Sequence, residues 1–183
     1  MDKRILLHVC CAPCMIYPLD KLKSQGFEVI GFFYNPNIHP YIEYRKRKDA
    51  LEDLAVKFAM EMIYPEYEPS QFFQAVNLME ERIKRCPICW YQRLKATAIF
   101  AKAMNIRYFS TTLLVSPYQD IDAIKEIGLD NANNLGIEFY FDDFRKGFKS
   151  AHGEAKRLGL YSQKYCGCIY SELERCRKSE KSL

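Results

Sequence analysis

Short apolar runs alternate with helical patterns along the whole chain, and this alternation narrows the folds open to it. The runs lie at Arg4–Val9, Glu28–Tyr34, Glu61–Tyr64, Arg107–Thr112 and Ile137–Phe141. Each has strand length, and each is followed by apolar residues at helical spacing. The clearest case is Leu51, Leu54, Ala55 and Phe58, at i, i+3, i+4 and i+7. Helices are expected over Ile16–Ser24, Ile42–Met60, from Pro69 onward, then over Tyr91–Met104, Ile121–Gly128, Asn131–Leu135 and Ser150–Leu158. A charged last helix should fray at its end. Strands separated by helices read as βαβ units, which run parallel. The expectation is one α/β domain over residues 1–183, a three-layer, doubly wound, mostly parallel sheet of about five strands with a C-terminal helical segment.

A chain of 183 residues, 49% of them hydrophobic, can bury a real core. No apolar run approaches the roughly 20 residues that a membrane span needs. Met1-Asp2-Lys3-Arg4 and the short run after it lack the long apolar region of a signal peptide, so a cytoplasmic protein without membrane contact is expected. In a reducing compartment, eight cysteines point to metal binding or redox chemistry rather than to a disulfide framework. Separate basic clusters, such as Arg45-Lys46-Arg47-Lys48, suit either a solvated helix face or a polyanion such as RNA.

Seven of the thiols fall into three sets: Cys10-Cys11-Ala12-Pro13-Cys14, Cys86-Pro87-Ile88-Cys89 and Cys166-Gly167-Cys168. In an open parallel sheet ligands bind beyond the carboxyl ends of the strands. The segments after strands one, two, four and five, and the start of the helix leading into strand four, should meet at that edge and carry the thiols with them. Cys11-x-x-Cys14 and Cys86-x-x-Cys89 have the spacing at which two sulfurs chelate one ion or cluster. Gly167 lets the backbone bend so that its two flanking thiols face a common centre. Spacing alone does not separate zinc from iron–sulfur. Seven thiols exceed the four that a [4Fe–4S] cluster needs, which leaves a surplus for a second metal or for catalysis. Because successive side chains on a strand point to opposite faces, Cys10 and Cys11 are expected to serve different metal centres unless the strand has already ended there. Cys176, on a charged helix, is read as incidental. The first βα loop has a proline and no glycine, where nucleotide-binding relatives of this architecture carry a Gly-rich phosphate cradle, so ATP-driven chemistry is not expected.

Several motifs taken together resemble the epoxyqueuosine reductases of the QueH type. They are Leu7-His8-Val9-Cys10-Cys11-Ala12-Pro13-Cys14, Phe33-Tyr34-Asn35-Pro36-Asn37-Ile38-His39-Pro40, Cys86-Pro87-Ile88-Cys89, and Thr111-Thr112-Leu113-Leu114-Val115-Ser116-Pro117-Tyr118-Gln119. Arg93-Leu94, Asp143-Phe144-Arg145 and Gly159-Leu160-Tyr161-Ser162-Gln163-Lys164-Tyr165-Cys166-Gly167-Cys168 extend the likeness over nearly the whole chain. Trp90 departs mildly, since the family more often has Tyr or Phe there. The resemblance implies a nucleotide alpha-hydrolase-like (HUP-type) fold and the last step of queuosine synthesis. In that step an epoxide on a modified guanine at the wobble position of tRNA is reduced to the alkene, without cobalamin.

The implied cofactors are a [4Fe–4S] cluster and a second iron beside it, ligated among Cys10, Cys11, Cys14, Cys86, Cys89, Cys166 and Cys168, with the division left open. The implied partners are tRNA carrying epoxyqueuosine in its anticodon loop and an external low-potential electron donor. Candidate proton donors are Tyr118, Asp120, Asp142, Asp143 and Tyr165. Tyr34, Trp90 and Tyr118 are candidates for stacking on bases, and Arg45, Arg47, Arg93, Arg145 and Lys149 for phosphate contacts. Asn35 and His39 are expected at the substrate, and His8 as a hydrogen-bonded core residue. The competing readings are a zinc-stabilised tRNA-binding module, a cluster-dependent tRNA thiolase and a thiol–disulfide oxidoreductase.

Overall fold

The computed structural model describes residues 3–180. Strands β1 (Arg4–His8), β2 (Glu28–Phe32), β3 (Met62–Ile63), β4 (Tyr108–Thr111) and β5 (Glu138–Phe139) form one sheet. All its pairs are parallel, in the order β3-β2-β1-β4-β5. The helices are α1 (Ala12–Ser24), α2 (Tyr41–Lys57), α3 (Pro69–Val76), α4 (Arg82–Ala103), α5 (Ile121–Leu135), α6 (Phe148–Arg157) and α7 (Ile169–Glu180). Among the described residues no helix is long and apolar enough to cross a membrane. Met1-Asp2 and the end of the last helix, where fraying was expected, lie outside the described residues.

Alternation along β1 feeds two cores. Ile5 and Leu7 pack with Met15, Leu19, Leu51 and Ala151 of α1, α2 and α6. Leu6 packs on the opposite face with Leu94, Ala98, Phe109 and Ile124 of α4, β4 and α5. A central strand buried on both faces reads as a continuous apolar run, which is why β1 shows no polar alternation. The chain winds outward from β1 to β3 and then returns to add β4 and β5 on the other side. The switch point therefore lies between β1 and β4, and the crevice beyond their carboxyl ends is the ligand edge. Side chains close this seam. His8 Nδ1 lies 2.9 Å from Thr111 Oγ1, and the Cys10 amide donates to Thr112 Oγ1 at 3.1 Å. Burial, followed by the Arg93 charge, lowers the His8 pKa to about 3, so the ring stays neutral in the core.

Three helices differ from expectation. The first starts at Ala12 rather than Ile16, with Cys11 as its extended N-cap and a proline in its opening turn. A proline is at home there because its missing N–H would have no intrahelical partner. The fourth begins at Arg82 rather than Tyr91 and runs through Pro87, so Cys86 and Cys89 sit within the helix at i and i+3. The fifth is one continuous helix, capped by Asp120 and stopped by Gly136 at φ 65°. Its Gly128 is a packing residue and not a stop, since a Cβ there would lie 2.4 Å from the Phe139 ring. Gly128→Ala is expected to destabilise the fold by about 1–3 kcal/mol through overpacking, measured by urea denaturation. An unchanged midpoint would mean that β5 yields freely.

Candidate metal centre

Where β1 ends at His8, the chain turns into α1 and gathers its first three thiols. The sulfurs of Cys10, Cys11 and Cys14 all lie within 4.8 Å of one another, with Cys10 Sγ and Cys11 Sγ 3.7 Å apart. The strand-face argument for assigning neighbouring Cys10 and Cys11 to separate centres therefore does not apply, since their sulfurs are close enough to share one. Strand alternation does not reach them, because the strand is over before Cys10 and Cys11 already caps the helix. Thr112 Oγ1 donates to Cys10 Sγ at 3.3 Å, and Gln163 Nε2 donates to Cys11 Sγ at 2.9 Å. Hydrogen bonds from Cys11 and Cys14, with a smaller one from Thr112, hold the Cys10 thiol well below its usual range despite burial. Burial, then Cys10, pushes Cys11 up, and hydrogen bonds with Cys10 and Cys11 push Cys14 up. With three sulfurs this close, ionising one thiol opposes ionising its neighbours.

Four further thiols line a neighbouring cavity of about 700 Å³: Cys86 and Cys89 from α4, and Cys166 and Cys168 from the loop before α7. Burial raises the Cys86 thiol; it raises Cys89 to about 12, with Arg93 opposing. Among the described residues, no three of these four sulfurs come within 4.8 Å of one another, so this set is wider than the first. A second cavity, of about 410 Å³, is lined by Cys10, Cys14 and again Cys166. Arg93, Tyr118, Gln119 and Cys166 line both cavities, so the two thiol sets share a wall. All eight cysteines are unpaired thiols.

The Cys166 loop is held by a buried network around Arg47, a residue expected at a phosphate and found instead beneath the loop. Arg47, 1% exposed, donates to the carbonyls of Cys166 at 3.0 Å and Tyr165 at 3.1 Å. Its ion-pair partner Glu43 lies at 2.8 Å and also accepts from the Tyr161 hydroxyl. Gly167 adopts φ +141°, and a Cβ there would come within 3.1 Å of Ile38 and 3.2 Å of Asn37. Its carbonyl accepts from the His39 amide at 2.8 Å. Arg85 ties α7 to α4 through Glu174 at 2.6 Å.

The other expected site residues divide into two groups. Tyr118, Asp120 and Tyr165 line the cavities. Tyr118 is 71% exposed. The Asp120 carboxylate caps α5 through the Ala123 amide at 3.0 Å. The Tyr165 hydroxyl donates to the His39 carbonyl, and burial raises its pKa to about 12. Trp90 also lines the larger cavity and donates to Gln119 at 2.8 Å.

Tyr34, Asn35, His39, Arg45, Asp143 and Arg145 line neither cavity. Tyr34 donates to Gln71 at 2.6 Å, and buried Asn35 donates to the Val9 carbonyl at 2.9 Å. His39 is buried and stacks on Phe73 at 4.4 Å, and burial lowers its pKa to about 4. Arg45 pairs with Asp49 at 2.9 Å, and Arg145 with Asp143 at 2.6 Å. The Arg145 hydrogen bond keeps the Asp143 carboxyl ionised, which makes it a poor proton donor. Arg93 is 1% exposed, so its guanidinium is turned toward the thiols and away from any phosphate at the surface. Its spacing held that signal: Cys86, Cys89 and Arg93 fall at i, i+3 and i+7 on one helix face.

A family model described as "Epoxyqueuosine reductase QueH" matches residues 5–174. A curated protein of that name from Dehalococcoides mccartyi is 37% identical over 179 residues, covering 97% of each chain. Another from Thermotoga maritima is 39% identical over 182 residues, covering 95% of this chain and 93% of its own. Among solved structures, one described as a predicted subunit of tRNA methyltransferase from Methanocaldococcus jannaschii superposes with a TM-score of 0.54 at 14% identity, covering 83% of this chain and 74% of that one. That likeness concerns the fold alone, an all-parallel five-stranded sheet with helices on both faces. On the match over residues 5–174 and on relatives aligned end to end, the chain belongs to the epoxyqueuosine reductase QueH family.

Proposed function

We propose that this chain reduces epoxyqueuosine to queuosine at the wobble position of tRNA, as an iron–sulfur oxidoreductase served by an external low-potential electron donor. The observation that carries this reading is the gathering of seven thiols from three distant segments at the switch-point edge, in a chain of this family. The donors fit a soft, thiolate-bound metal, since sulfur alone lines both sets. The compact set of Cys10, Cys11 and Cys14 suits one iron ion, its sulfurs being close enough to share a single centre. The wider set of Cys86, Cys89, Cys166 and Cys168 suits a [4Fe–4S] cluster, whose four thiolates bind four separate irons. Bound there, the metals supply single electrons and a Lewis acid for the epoxide oxygen.

The rest falls to the side chains. The net reaction consumes two electrons and two protons, opens the epoxide to the alkene and releases its oxygen as water. Tyr118 carries the best-placed proton, with an exposed phenol on the wall of both cavities. Tyr165, half-buried and bonded to the His39 carbonyl, holds its proton and shapes the wall. Trp90, 7% exposed and bonded to Gln119, firms the cavity wall, and exposed Tyr118 is the ring on which a base can stack. Arg82 and Arg175 line the larger cavity and supply positive charge for the anticodon backbone. Affinity for tRNA is accordingly expected to fall about tenfold or more between ~50 and ~200 mM salt in a filter-binding titration. Affinity independent of salt would contradict this.

The activity itself is tested by anaerobic reconstitution with iron and sulfide. Epoxyqueuosine-containing tRNA and a low-potential reductant are then added, and the nucleosides are analysed. Queuosine should appear in proportion to the loaded protein. Its absence with an intact metal centre would overturn the assignment. A protein purified anaerobically with zinc, and without iron or sulfide, would favour a zinc-stabilised tRNA-binding module.

A further inference from the structure

Arg47 and Arg93 are the two largest fully buried side chains of the molecule, each 1% exposed. Arg47 is fully engaged with Glu43 and two carbonyls. Arg93 is not. Its one hydrogen bond runs from Nε to the Cys89 carbonyl of its own helix, at 3.1 Å. Its Nη2 is buried without a partner, and among the described residues no carboxylate pairs with it. A buried cation left this way costs several kcal/mol, so a fold that keeps one places an anion beside it.

The surroundings show which anion. Arg93 stands in the wall between the cavity of the wider thiol set and that of the compact set. The groups whose charges act on it are the thiols of Cys89, Cys166, Cys10 and Cys86, members of both sets. It shares a helix face with Cys86 and Cys89, so the scaffold that places those sulfurs also places the guanidinium.

We propose that Arg93 is the counter-charge of the thiolate-bound metal centre, its unpartnered Nη2 donating to a sulfur of that group and raising its reduction potential. This rests on the reading that the seven thiols hold a redox-active metal. The physical reason is direct. Each electron taken up adds negative charge, and a fixed cation beside the centre favours the reduced state; net charge and hydrogen bonds to sulfur are what set such potentials. Arg93 is a positioning residue and touches no substrate.

The test uses the full-length protein, reconstituted anaerobically as wild type, Arg93→Gln and Arg93→Lys. Iron and sulfide are counted, and the midpoint potential is read by a dye-mediated titration followed by electron paramagnetic resonance. Arg93→Gln should load its metal and show a reduced-to-oxidised ratio at fixed poise at least about tenfold lower. That corresponds to about 59 mV more negative for a one-electron couple. Arg93→Lys should recover most of the shift. An Arg93→Gln protein with wild-type iron and an unchanged potential would overturn the proposal. Should Arg93→Gln fail to fold or load, Arg93→Lys decides. Loading with a ratio within about threefold of wild type supports the counter-charge, whereas a lysine variant that does not load counts against it, because the charge is retained. If wild type itself takes up no iron, the metal reading fails before Arg93 is tested.

Discussion

Cys86→Ala is expected to abolish the iron–sulfur signal of the reconstituted protein and to lower queuosine formation by more than about a hundredfold. Losing an outer partner of a metal site typically costs 10–100-fold, and a direct ligand, the role proposed for Cys86, should cost more. The thiol projects into the cavity it shares with Cys89, Cys166 and Cys168, and alanine leaves three thiolates where four are needed. Cys176→Ala provides the control. It lies exposed on α7 and lines neither cavity, so iron content and turnover should match wild type. Equal iron loss in both variants would mean that Cys176 belongs to the centre.

The second large effect concerns the network under the Cys166 loop. Arg47→Met should destabilise the fold by about 3–5 kcal/mol, because the Glu43 carboxylate would stay buried without its cation. The side chains of the pair are 1% and 8% exposed, so water cannot replace the lost partner without local opening. The same substitution releases the carbonyls of Tyr165 and Cys166, so metal content should fall even in the fraction that folds. Equilibrium urea denaturation with metal analysis reads both effects. A loss under about 1 kcal/mol would show that the pair contributes no more than a surface ion pair.

Much of this was legible in the residues. Apolar runs of strand length, set between helical patterns, implied a parallel sheet, and a parallel sheet implied that the post-strand loops meet at one edge. The thiol sets do meet there. The misreadings have local causes. Gly128 looked like a helix stop because the sequence does not show Phe139 packing against it. Strand alternation would separate Cys10 from Cys11 only if the strand reached them, and it ends at His8. The helical placement of Cys86-Pro87-Ile88-Cys89 was hidden by a proline that α4 accommodates. Asn35 and His39 sit in a motif of the family yet are buried, serving the Val9 carbonyl and the Phe73 ring. Which arginine is buried cannot be read from charge: Arg45 and Arg47 stand two apart on α2, one paired at the surface and one under the metal loop.

The most direct test is a count of iron and acid-labile sulfide per chain after anaerobic reconstitution, in wild type and in a Cys10→Ser, Cys11→Ser, Cys14→Ser triple variant. Two centres predict about four sulfides and about five irons in wild type, and about four of each in the triple variant, with the cluster spectrum retained. Loss of all sulfide from the triple variant, or a wild-type protein that binds zinc and no sulfide, would contradict the account.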